Sequence, residues 1–402
     1  MCRLTKFILM KYYSADYILP ITSAPIKNGV IVVDEEGKIE ALGTKEDYPS
    51  VDIQSYNGIL IPGMINTHCH LELSHMKGMC PTGTTLIPFI TNVVKLRDFD
   101  PAIIQDKIAE EDSNMWLSGI QAVGDISNKV DTAAQKKVSP ISYYTFVEMF
   151  DFMQAAATES TIEQYRNVYK DQAHDSGNKR SFVPHAPYSV SPELFDFINR
   201  ANPDKATISI HNQETLDEEL LFSDGSGRFP DFYKGFNVTL DNFTPSGKTS
   251  IHYAIEQMQP KRKNLFVHNT LTSTKDINAA HAWSDNVYWA TCPNANLYIE
   301  NRIPYYKTFI DANAKMTIGT DSIMSNWQLC IWEEIKTIKK LQSYVPLTDM
   351  LTWATINGAE ALGYQKSMGS LEVGKQPGLV HVDVEWRGDD TDISHSQSNR
   401  VC

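Results

Sequence analysis

The stretch from Ile61 to His70 reads IPGMINTHCH and ends in two histidines that stand two positions apart. The apolar run Ile59–Ile65 predicts a buried β-strand that leads into this histidine pair. Successive side chains of an extended segment alternate in direction, so His68 and His70 point the same way. Two imidazoles on one side of a strand end can bind the same metal ion. The stretch therefore predicts a strand that ends in half of a metal site.

Downstream of this strand, apolar runs of about five residues alternate with longer amphipathic stretches, which is typical of βα units. The pattern predicts a (β/α)₈ TIM-type barrel, an α/β fold. Its eight strands are placed at Ile59–Ile65, Ala122–Ile126, Ser142–Val147, Ser181–Pro184, Thr207–Ile210, Leu265–Val267, Val287–Ala290 and Lys315–Ile318.

Both ends of the chain have a different sequence pattern, in which short Val- and Ile-rich runs are separated by Gly-containing turns. Examples are Gly29–Val33 near the start and Gly378–Val382 near the end. These runs predict a small β-sandwich built from both termini. The expected domains are residues 1–60 and 365–402 for the sandwich and 61–364 for the barrel. The last ten or so residues are expected to be frayed.

The composition favours a small-molecule partner. The chain has 402 residues and a formal net charge of −13, which repels nucleic acid and anionic membranes. No run approaches the ~20 apolar residues of a membrane span, so a cytoplasmic protein is expected. The cysteines show no paired spacing and are expected to be reduced thiols; they are Cys2, Cys69, Cys80, Cys292, Cys330 and Cys402.

Further polar residues fall at other strand ends, the face of a barrel that carries chemistry. His211 follows the fifth predicted strand, His268 the sixth and Asp321 the eighth. Histidine also serves in cores and turns, and an HxH motif alone is weak evidence. The joint pattern at four strand ends favours one divalent metal ion, Zn²⁺ or Fe²⁺, with an open position for water.

A carboxylate lies three residues after one of these histidines, in the segment His211-Asn212-Gln213-Glu214. Taken alone, Glu214 would be read as a solvated loop residue. Beside a metal ligand, it can lean over the same ion and move a proton to or from its water. Glu214 is therefore the expected acid/base.

These motifs together resemble the amidohydrolase superfamily, in its branch of mononuclear aminohydrolases and deaminases. The resemblance covers nearly the whole chain. Its remaining segments are the strand 4 segment PHAPYSVS from Pro184, VHNT from Val267, CPNANL from Cys292, GTDS from Gly319 and GSLEVGK from Gly369.

The resemblance implies a role for each matching position. His68, His70, His211 and Asp321 would bind the metal, Zn²⁺ first and Fe²⁺ second. Glu214, His268 and Asp321 would be catalytic, with His268 orienting the water or the substrate. Binuclear members carry a carboxylated lysine after strand 4, where this chain has Pro184 and His185, so one metal ion is expected.

The resemblance also implies a reaction, the hydrolytic deamination of a small amino-heterocycle. The segments HLELS, HAPY and GTTLIPFI look most like deaminases of aminodeoxyfutalosine and related purine nucleosides. Asn294 departs from that subgroup, in which a more basic residue is expected. The predicted substrate contacts are Glu72, His185, Tyr188, Asn326 and Trp327. For two of these a structural role is the alternative: packing for Trp327, and orientation of a ligand histidine for Glu72.

Other functions stay open at this point. A chlorohydrolase or an amide or imine hydrolase could use the same mononuclear site, because fold and metal do not fix the leaving group. A non-catalytic relative would have no reason to keep His68, His70, His211, Glu214, His268 and Asp321 together. A homodimer is expected only at the level of the family.

Overall fold

The computed structural model describes residues 9–172, 177–240 and 243–402. Its first five strands are β1 (Lys11–Ile18), β2 (Ile26–Lys27), β3 (Gly29–Val33), β4 (Ile39–Thr44) and β5 (Gln54–Pro62). β3 runs antiparallel to β1 and β4, whereas β5 runs parallel to β1. Their buried apolar side chains, among them Ile18, Ile31 and Leu60, form a core of their own.

Eight parallel strands follow and make two four-stranded sheets. The first sheet contains β6 (Met64–Cys69), β7 (Ile120–Ser127), β8 (Ser142–Met149) and β9 (Lys179–Pro184); the second contains β10 (Thr207–Asn212), β11 (Lys263–His268), β12 (Val287–Thr291) and β13 (Met316–Ile318). Nearly every residue of these strands is buried, as expected for sheets covered on both faces.

The predicted strand Ile59–Ile65 is wrong in one respect, because its residues belong to two different sheets. β5 ends at Pro62 and β6 begins at Met64. A Cβ atom on the intervening Gly63 would lie 2.5 Å from the carbonyl oxygen of Pro377, so only glycine fits at this crossing. The sequence pattern does not show this change of sheet, because the apolar run continues across Gly63 without a break. The other seven predicted strands are confirmed, since they overlap β7 to β13.

Hydrogen bonds join the two parallel sheets at both of their edges. Between β9 and β10, the hydroxyl of Ser181 donates to the carbonyl of Thr207 at 2.7 Å. Between β13 and β6, the hydroxyls of Thr67 and Thr317 lie 2.8 Å apart, and the Asn66 amide donates to Thr320 Oγ1 at 2.8 Å. These bonds bring the carboxyl ends of β6 and β13, the first and last parallel strands, next to each other.

Helices follow most of the parallel strands. The α-helices of the described ranges are α1 (Leu86–Leu96), α2 (Pro101–Leu117), α3 (Ala133–Val138), α4 (Thr158–Asp171), α5 (Pro192–Ala201), α6 (Leu216–Asp224), α7 (Phe229–Lys234), α8 (Ser250–Gln257), α9 (Thr274–Trp283), α10 (Pro293–Glu300), α11 (Tyr306–Asp311), α12 (Ile331–Leu341), α13 (Leu347–Thr352) and α14 (Gly358–Leu362). Within these ranges, no helix combines the length and apolar character that crossing a membrane requires.

The C-terminal residues return to the first sheet instead of fraying as expected. β14 (Leu379–Val382) pairs with β5, and β15 (Ser398–Arg400) pairs with β14. The Arg400 guanidinium lies 3.3 Å from the ring centre of Trp116 and donates to the carbonyl of Ile120 at 2.8 Å. Both ends of the chain thus share one seven-stranded sheet, and the two-layer sandwich stays a prediction.

The cysteines of the described ranges carry no disulfide, in agreement with the expectation of free thiols. Cys69, Cys80 and Cys292 are fully buried, whereas Cys330 and Cys402 are partly exposed. Cys2 lies outside the described residues.

A buried ion pair between Lys136 and Asp125 stabilises the backbone that follows the histidine pair. Lys136 Nζ lies 2.6 Å from Asp125 Oδ2, and both side chains are wholly buried. The same ammonium donates to the hydroxyls of Ser127 and Thr145 at 3.1 and 3.0 Å. The other oxygen of Asp125 accepts the backbone N–H of Leu71 at 2.8 Å, directly after the histidine pair.

Replacing Lys136 by Met should strongly destabilise the protein, because Asp125 would be left as a buried charge without its cation. Breaking a buried pair in this way costs about 3–5 kcal/mol. Equilibrium unfolding in urea measures the change. Lys107→Met is the matched control, since the ion pair of Lys107 with Glu110 is exposed and should contribute little. Equal stability of the two variants would contradict the assignment.

Candidate active site

The histidine pair lies where β6 ends, at the centre of the carboxyl edge. Nε2 of His68 and Nε2 of His70 are 3.2 Å apart, so both side chains extend to the same side of the strand end, as predicted. Gly319, after β13, allows this approach, because a Cβ there would lie 2.8 Å from the Cβ of His68. The backbone N–H of Asp321 donates to the carbonyl of His68 at 3.0 Å and ties the first parallel strand to the last.

Asp321 and His211 complete the group. Asp321 Oδ1 lies 3.5 Å from His68 Nε2 and 3.3 Å from His70 Nε2. The ring centre of His211 is 4.9 Å from that of His68 and 5.5 Å from that of His70. His211 Nδ1 donates to the carbonyl of His185 at 2.8 Å, which leaves Nε2 for another partner. The structure thus brings the four sequence-predicted ligands together.

The donor set fits a divalent cation. Burial lowers the pKa values of His68 and His70 to about 4, so both rings are neutral near pH 7. Their facing nitrogens lie next to a carboxylate whose pKa is held well below its usual range; burial opposes this shift, but the bond to His68 and the neighbouring histidines outweigh it. Imidazole nitrogens and an ionised carboxylate oxygen that converge in one buried space are the donors that a divalent transition-metal ion prefers.

Glu214 and His268 lie beside this group on the neighbouring strand ends. His268 Nε2 is 3.7 Å from Glu214 Oε1, and His268 Nδ1 donates to the Asn296 side-chain oxygen at 2.8 Å. Burial raises the pKa of Glu214 to about 8 and lowers that of His268 to about 4. The buried carboxylate of Glu218 accepts the backbone N–H groups of Gln213 and Glu214 at 3.0 Å each, which fixes the acid/base loop.

Three loops of the site have backbone angles that non-glycine residues rarely adopt. The φ values are 48° at Gln213, 71° at His268 and 56° at Asp321. Such conformations cost about 1–3 kcal/mol each and persist where the surrounding contacts enforce them. Three strand ends of the site therefore have backbone conformations that the surrounding contacts must hold in place.

Glu148, at the end of β8, is a site residue that the sequence analysis missed. Its Oε1 lies 3.3 Å from His211 Nδ1, and its Oε2 accepts the Asn128 amide at 3.0 Å. Burial alone would lower the pKa of His211, but the bond and charge of Glu148 outweigh it and raise that pKa to about 9. The signal was available, because a charged residue directly follows the predicted strand Ser142–Val147.

A cavity opens beside the predicted metal ligands. Its polar end is lined by His70, Glu148, His185, His211, Glu214, His268 and Asp321. Its walls are mainly apolar and are contributed by Leu73, Leu86, Phe89, Ile90, Val93, Phe150, Phe152, Tyr188, Phe232, Tyr233 and Ile299. This arrangement is typical of a small-molecule site, with a few convergent polar groups and an apolar wall.

The predicted substrate contacts fall into two groups. His185 and Tyr188 line the cavity, and burial lowers the pKa of His185 to about 4. The other three have partners elsewhere: Glu72 binds Arg97, Asn326 donates to Glu334 at 2.8 Å, and Trp327 is half-exposed beside Tyr298. Glu72 is not bonded to a ligand histidine either. Its buried carboxyl faces the loop after β7.

Replacing Glu148 by Gln should lower the pKa of His211 from about 9 to its ordinary value near 6.5 or below, because the charge that stabilises the imidazolium is removed. NMR titration of labelled histidines in metal-free protein measures this pKa. Glu372→Gln, an exposed change near Lys375, is the control and should leave it unchanged. A value near 9 in the Glu148 variant would refute the assignment.

Curated relatives of the chain are named as deaminases. It is 26% identical to an adenosine deaminase of Helicobacter pylori over 364 residues, 87% of this chain and 85% of the relative. It is 27% identical to a 5-methylthioadenosine/S-adenosylhomocysteine deaminase of Bacillus cereus over 376 residues, 89% of this chain and 81% of the relative.

Solved structures share the fold. The Helicobacter pylori aminofutalosine deaminase in complex with methylthio-coformycin has a TM-score of 0.76 and 22% identity, with 92% of this chain and 91% of that chain covered. An adenosine deaminase of Xanthomonas campestris with bound zinc has a TM-score of 0.73 and 22% identity, with 92% and 84% covered.

The amidohydrolase family matches residues 59–401, which include every strand of the two parallel sheets. Membership implies the TIM-barrel fold, and the deaminase relatives agree with a hydrolase that acts on carbon–nitrogen bonds. The chain therefore belongs to the amidohydrolase family and is a hydrolase of carbon–nitrogen bonds other than peptide bonds.

Proposed function

We propose that this protein catalyses the hydrolytic deamination of an adenine nucleoside with one divalent metal ion. The observation that carries the proposal is the convergence of two histidine Nε2 atoms and the Asp321 carboxylate, beside His211 and Glu214, at a cavity with mainly apolar walls. The assembly provides a cation site, a proton carrier and room for a heterocycle within one buried space.

His68, His70, His211 and Asp321 would hold the ion. Imidazole nitrogens with one carboxylate suit Zn²⁺ and also accept Fe²⁺; the zinc-bound adenosine deaminase with this fold favours Zn²⁺. When bound, the ion lowers the pKa of its water towards ~7 and so supplies a nucleophile near neutral pH. β9 ends at Pro184 and His185 follows it, where a binuclear site would need a lysine, which supports a single ion.

Glu214 is proposed to move the protons of the reaction. Its carboxylate accepts a proton from the attacking water and passes it to the ring nitrogen next to the amino-bearing carbon. A bond then forms between the water oxygen and that carbon, the second proton of the water is transferred to the amino nitrogen, and the carbon–amino bond breaks, so that ammonia leaves and the carbon becomes a carbonyl carbon. Burial raises the pKa of Glu214 to about 8, which suits a group that must both accept and donate a proton near neutral pH.

His268 and Asp321 are proposed to hold the water in line. Because His268 donates its Nδ1 proton to Asn296, its Nε2 of the neutral ring is an acceptor. Nε2 can therefore take a hydrogen bond from the water that Glu214 deprotonates. Asp321 would bind the ion through Oδ1, while its Oδ2 accepts the Ser325 hydroxyl at 2.5 Å and is thereby fixed.

The adenine nucleoside is supported by the relatives and by the cavity. The relatives are named for adenosine, 5-methylthioadenosine and aminofutalosine, all of which combine an adenine with a larger group. The apolar walls provide contact area for a ring, with His185 and Tyr188 as the proposed contacts. A small molecule is thus the expected partner; a homodimer and a cytoplasmic location remain predictions.

The architecture is part of the proposal. We infer that the two parallel sheets close into one eight-stranded barrel, which the hydrogen bonds at both of their edges support. The sandwich from both termini and the domain limits 1–60, 61–364 and 365–402 are kept as predictions. Closure matters for function, because it brings His68 and Asp321, from the first and last parallel strands, within one coordination sphere.

Glu214→Gln should retain about one metal ion per chain and lose turnover by about 10²–10⁴-fold, because the amide cannot carry the proton. His68→Asn should lose metal and turnover together. Elemental analysis of both purified variants, with steady-state kinetics, makes the comparison. Substantial turnover by the Glu214 variant would exclude the proposed proton transfer, and a His68 variant with full metal content would exclude the ligand set.

A panel of amino-heterocycles tests the substrate class. We expect the metal-loaded protein to release ammonia from adenosine or a 5′-substituted adenosine faster than from guanine or an aminotriazine, with the product of hydrolysis confirmed by mass spectrometry. Metal-loaded protein without ammonia release from any purine nucleoside would rule out this class. Release of chloride from a chlorinated heterocycle, or of an amine from an amide, would assign one of the alternative hydrolase activities instead.

A further inference from the structure

Glu334, on α12, is a wholly buried acidic residue that the proposed reaction does not use. Its Oε2 accepts the backbone N–H of Asn294 at 2.8 Å, and its Oε1 accepts the side-chain amides of Asn294 and Asn326 at 3.0 and 2.8 Å. Burial raises the pKa of Glu334 to about 8, and these N–H groups oppose the shift because they stabilise the ionised form. Burying an acid among neutral partners is costly, so its position needs a reason other than packing.

Through Asn326, Glu334 holds the loop that carries Asp321. The Asn326 amide, which bonds to Glu334, also donates to the carbonyl of Thr320 at 2.8 Å. That carbonyl belongs to the peptide unit directly before Asp321, whose φ is 56°. A non-glycine residue keeps such an angle only where its surroundings enforce it. Asn326 therefore fixes the peptide unit from which the Asp321 carboxylate extends.

Through Asn294, the same acid holds the residues that contact His268. The two N–H groups of Asn294 that bond to Glu334 fix the first turn of α10 against α12. Asn296, two residues further along α10, accepts the Nδ1 hydrogen of His268 at 2.8 Å and donates to the His268 carbonyl at 3.4 Å. The φ of His268 is 71°, which is another angle that the surroundings must enforce. The contacts of His268 with α10 thus come from a helix end that Glu334 holds.

We propose that Glu334 is a positioning residue that holds Asp321 and His268 in their relative geometry by bonding to both of the loops behind them. The inference rests on the proposed deamination, in which Asp321 and His268 hold the attacking water in line. A small displacement of either group would misalign the water and slow the reaction without removing a reacting group. The proposal also gives Asn326, which the sequence analysis placed on the substrate, a role in holding Asp321.

Glu334→Gln tests this role, because the amide keeps the size of the side chain but replaces one acceptor oxygen by a donor. The new NH₂ group would face an N–H group of Asn294 or Asn326, so at least one loop would lose its bond. With saturating Zn²⁺ and adenosine as substrate, we expect kcat to fall about 10- to 100-fold while KM stays within about threefold of the native value. Steady-state kinetics of both proteins measure this split.

Asp112→Asn is the matched control for the loss of a buried acid. Asp112 is buried and also accepts hydrogen bonds from three neutral groups, those of Gln135, Ser139 and Tyr143. These partners lie before and at the start of β8, at the end of the sheet opposite to the site. Both variants should lower the free energy of unfolding in urea, but only Glu334→Gln should lower kcat. An equal loss of kcat in both variants would assign the effect to general destabilisation and overturn the proposal.

Asn326→Leu, alone and combined with Glu334→Gln, tests the path between Glu334 and Asp321. The single change should lower kcat with KM retained, and it decides the question even if Glu334→Gln fails to fold. The loss of kcat in the double variant should be smaller than the product of the two single losses, because both changes remove the same bond. Losses that multiply would refute a shared path, and a raised KM with kcat retained in Asn326→Leu would assign Asn326 to the substrate instead.

A measurement without substrate separates this proposal from the proposed function. The Nδ1 hydrogen of His268 is buried and bonded to Asn296, so NMR of histidine-labelled protein should show it as a slowly exchanging proton. In Glu334→Gln this proton should exchange with water at least about 10-fold faster, because the loop opens more often. If adenosine is deaminated and Glu334→Gln leaves kcat unchanged, the role of Glu334 is wrong while deamination stands. If no purine nucleoside releases ammonia, the proposed function fails, and an unchanged exchange rate would then refute the role of Glu334 as well.

Discussion

The site depends on one constraint, the convergence of two histidine nitrogens and a buried carboxylate from strands that lie far apart in the sequence. Nε2 of His68 and Nε2 of His70 are 3.2 Å apart, and Oδ1 of Asp321 lies 3.3 Å from Nε2 of His70. Nothing in the geometry of a single strand would hold them there. The two parallel sheets do so, because their first and last strands meet at His68 and Asp321. The strand order thus brings the predicted metal ligands together.

A second layer of carboxylates supports this centre. Glu148 acts on His211, Glu218 holds the backbone of Glu214, and Glu334 bonds to Asn294 and Asn326 beside Asp321. Each of these side chains is buried and lies next to a residue assigned to metal binding or proton transfer. Buried carboxylates are costly unless their oxygens are bonded, so their positions are defined by function more than by packing. The net charge of −13 in part reflects this shell.

The sequence predicts the parallel strands well, because they depend on local patterns. Apolar runs identify β7 to β13, and the strand-end rule selects His211, His268 and Asp321, which the structure places close together; their roles stay predictions. The strand prediction fails for the run Ile59–Ile65, because its residues belong to two sheets and the chain crosses between them at Gly63. The reason for the crossing is the close contact of Gly63 with Pro377, which the sequence pattern does not show. The partners of Glu72, Asn326 and Trp327 depend on contacts between distant segments, and spacing along the chain carries no information about them.

The strand pairing of β5 with β14 has a consequence for folding. It joins Pro62 to Leu379, and both parallel sheets lie between these two residues in the sequence. Contacts between residues so far apart in sequence form late, because the entropy of closing a long loop opposes them until the intervening chain has become compact. The pairing of β14 with β5 is thus expected to form after the parallel sheets have become compact. Hydrogen-exchange protection of β14 would report whether this pairing has formed.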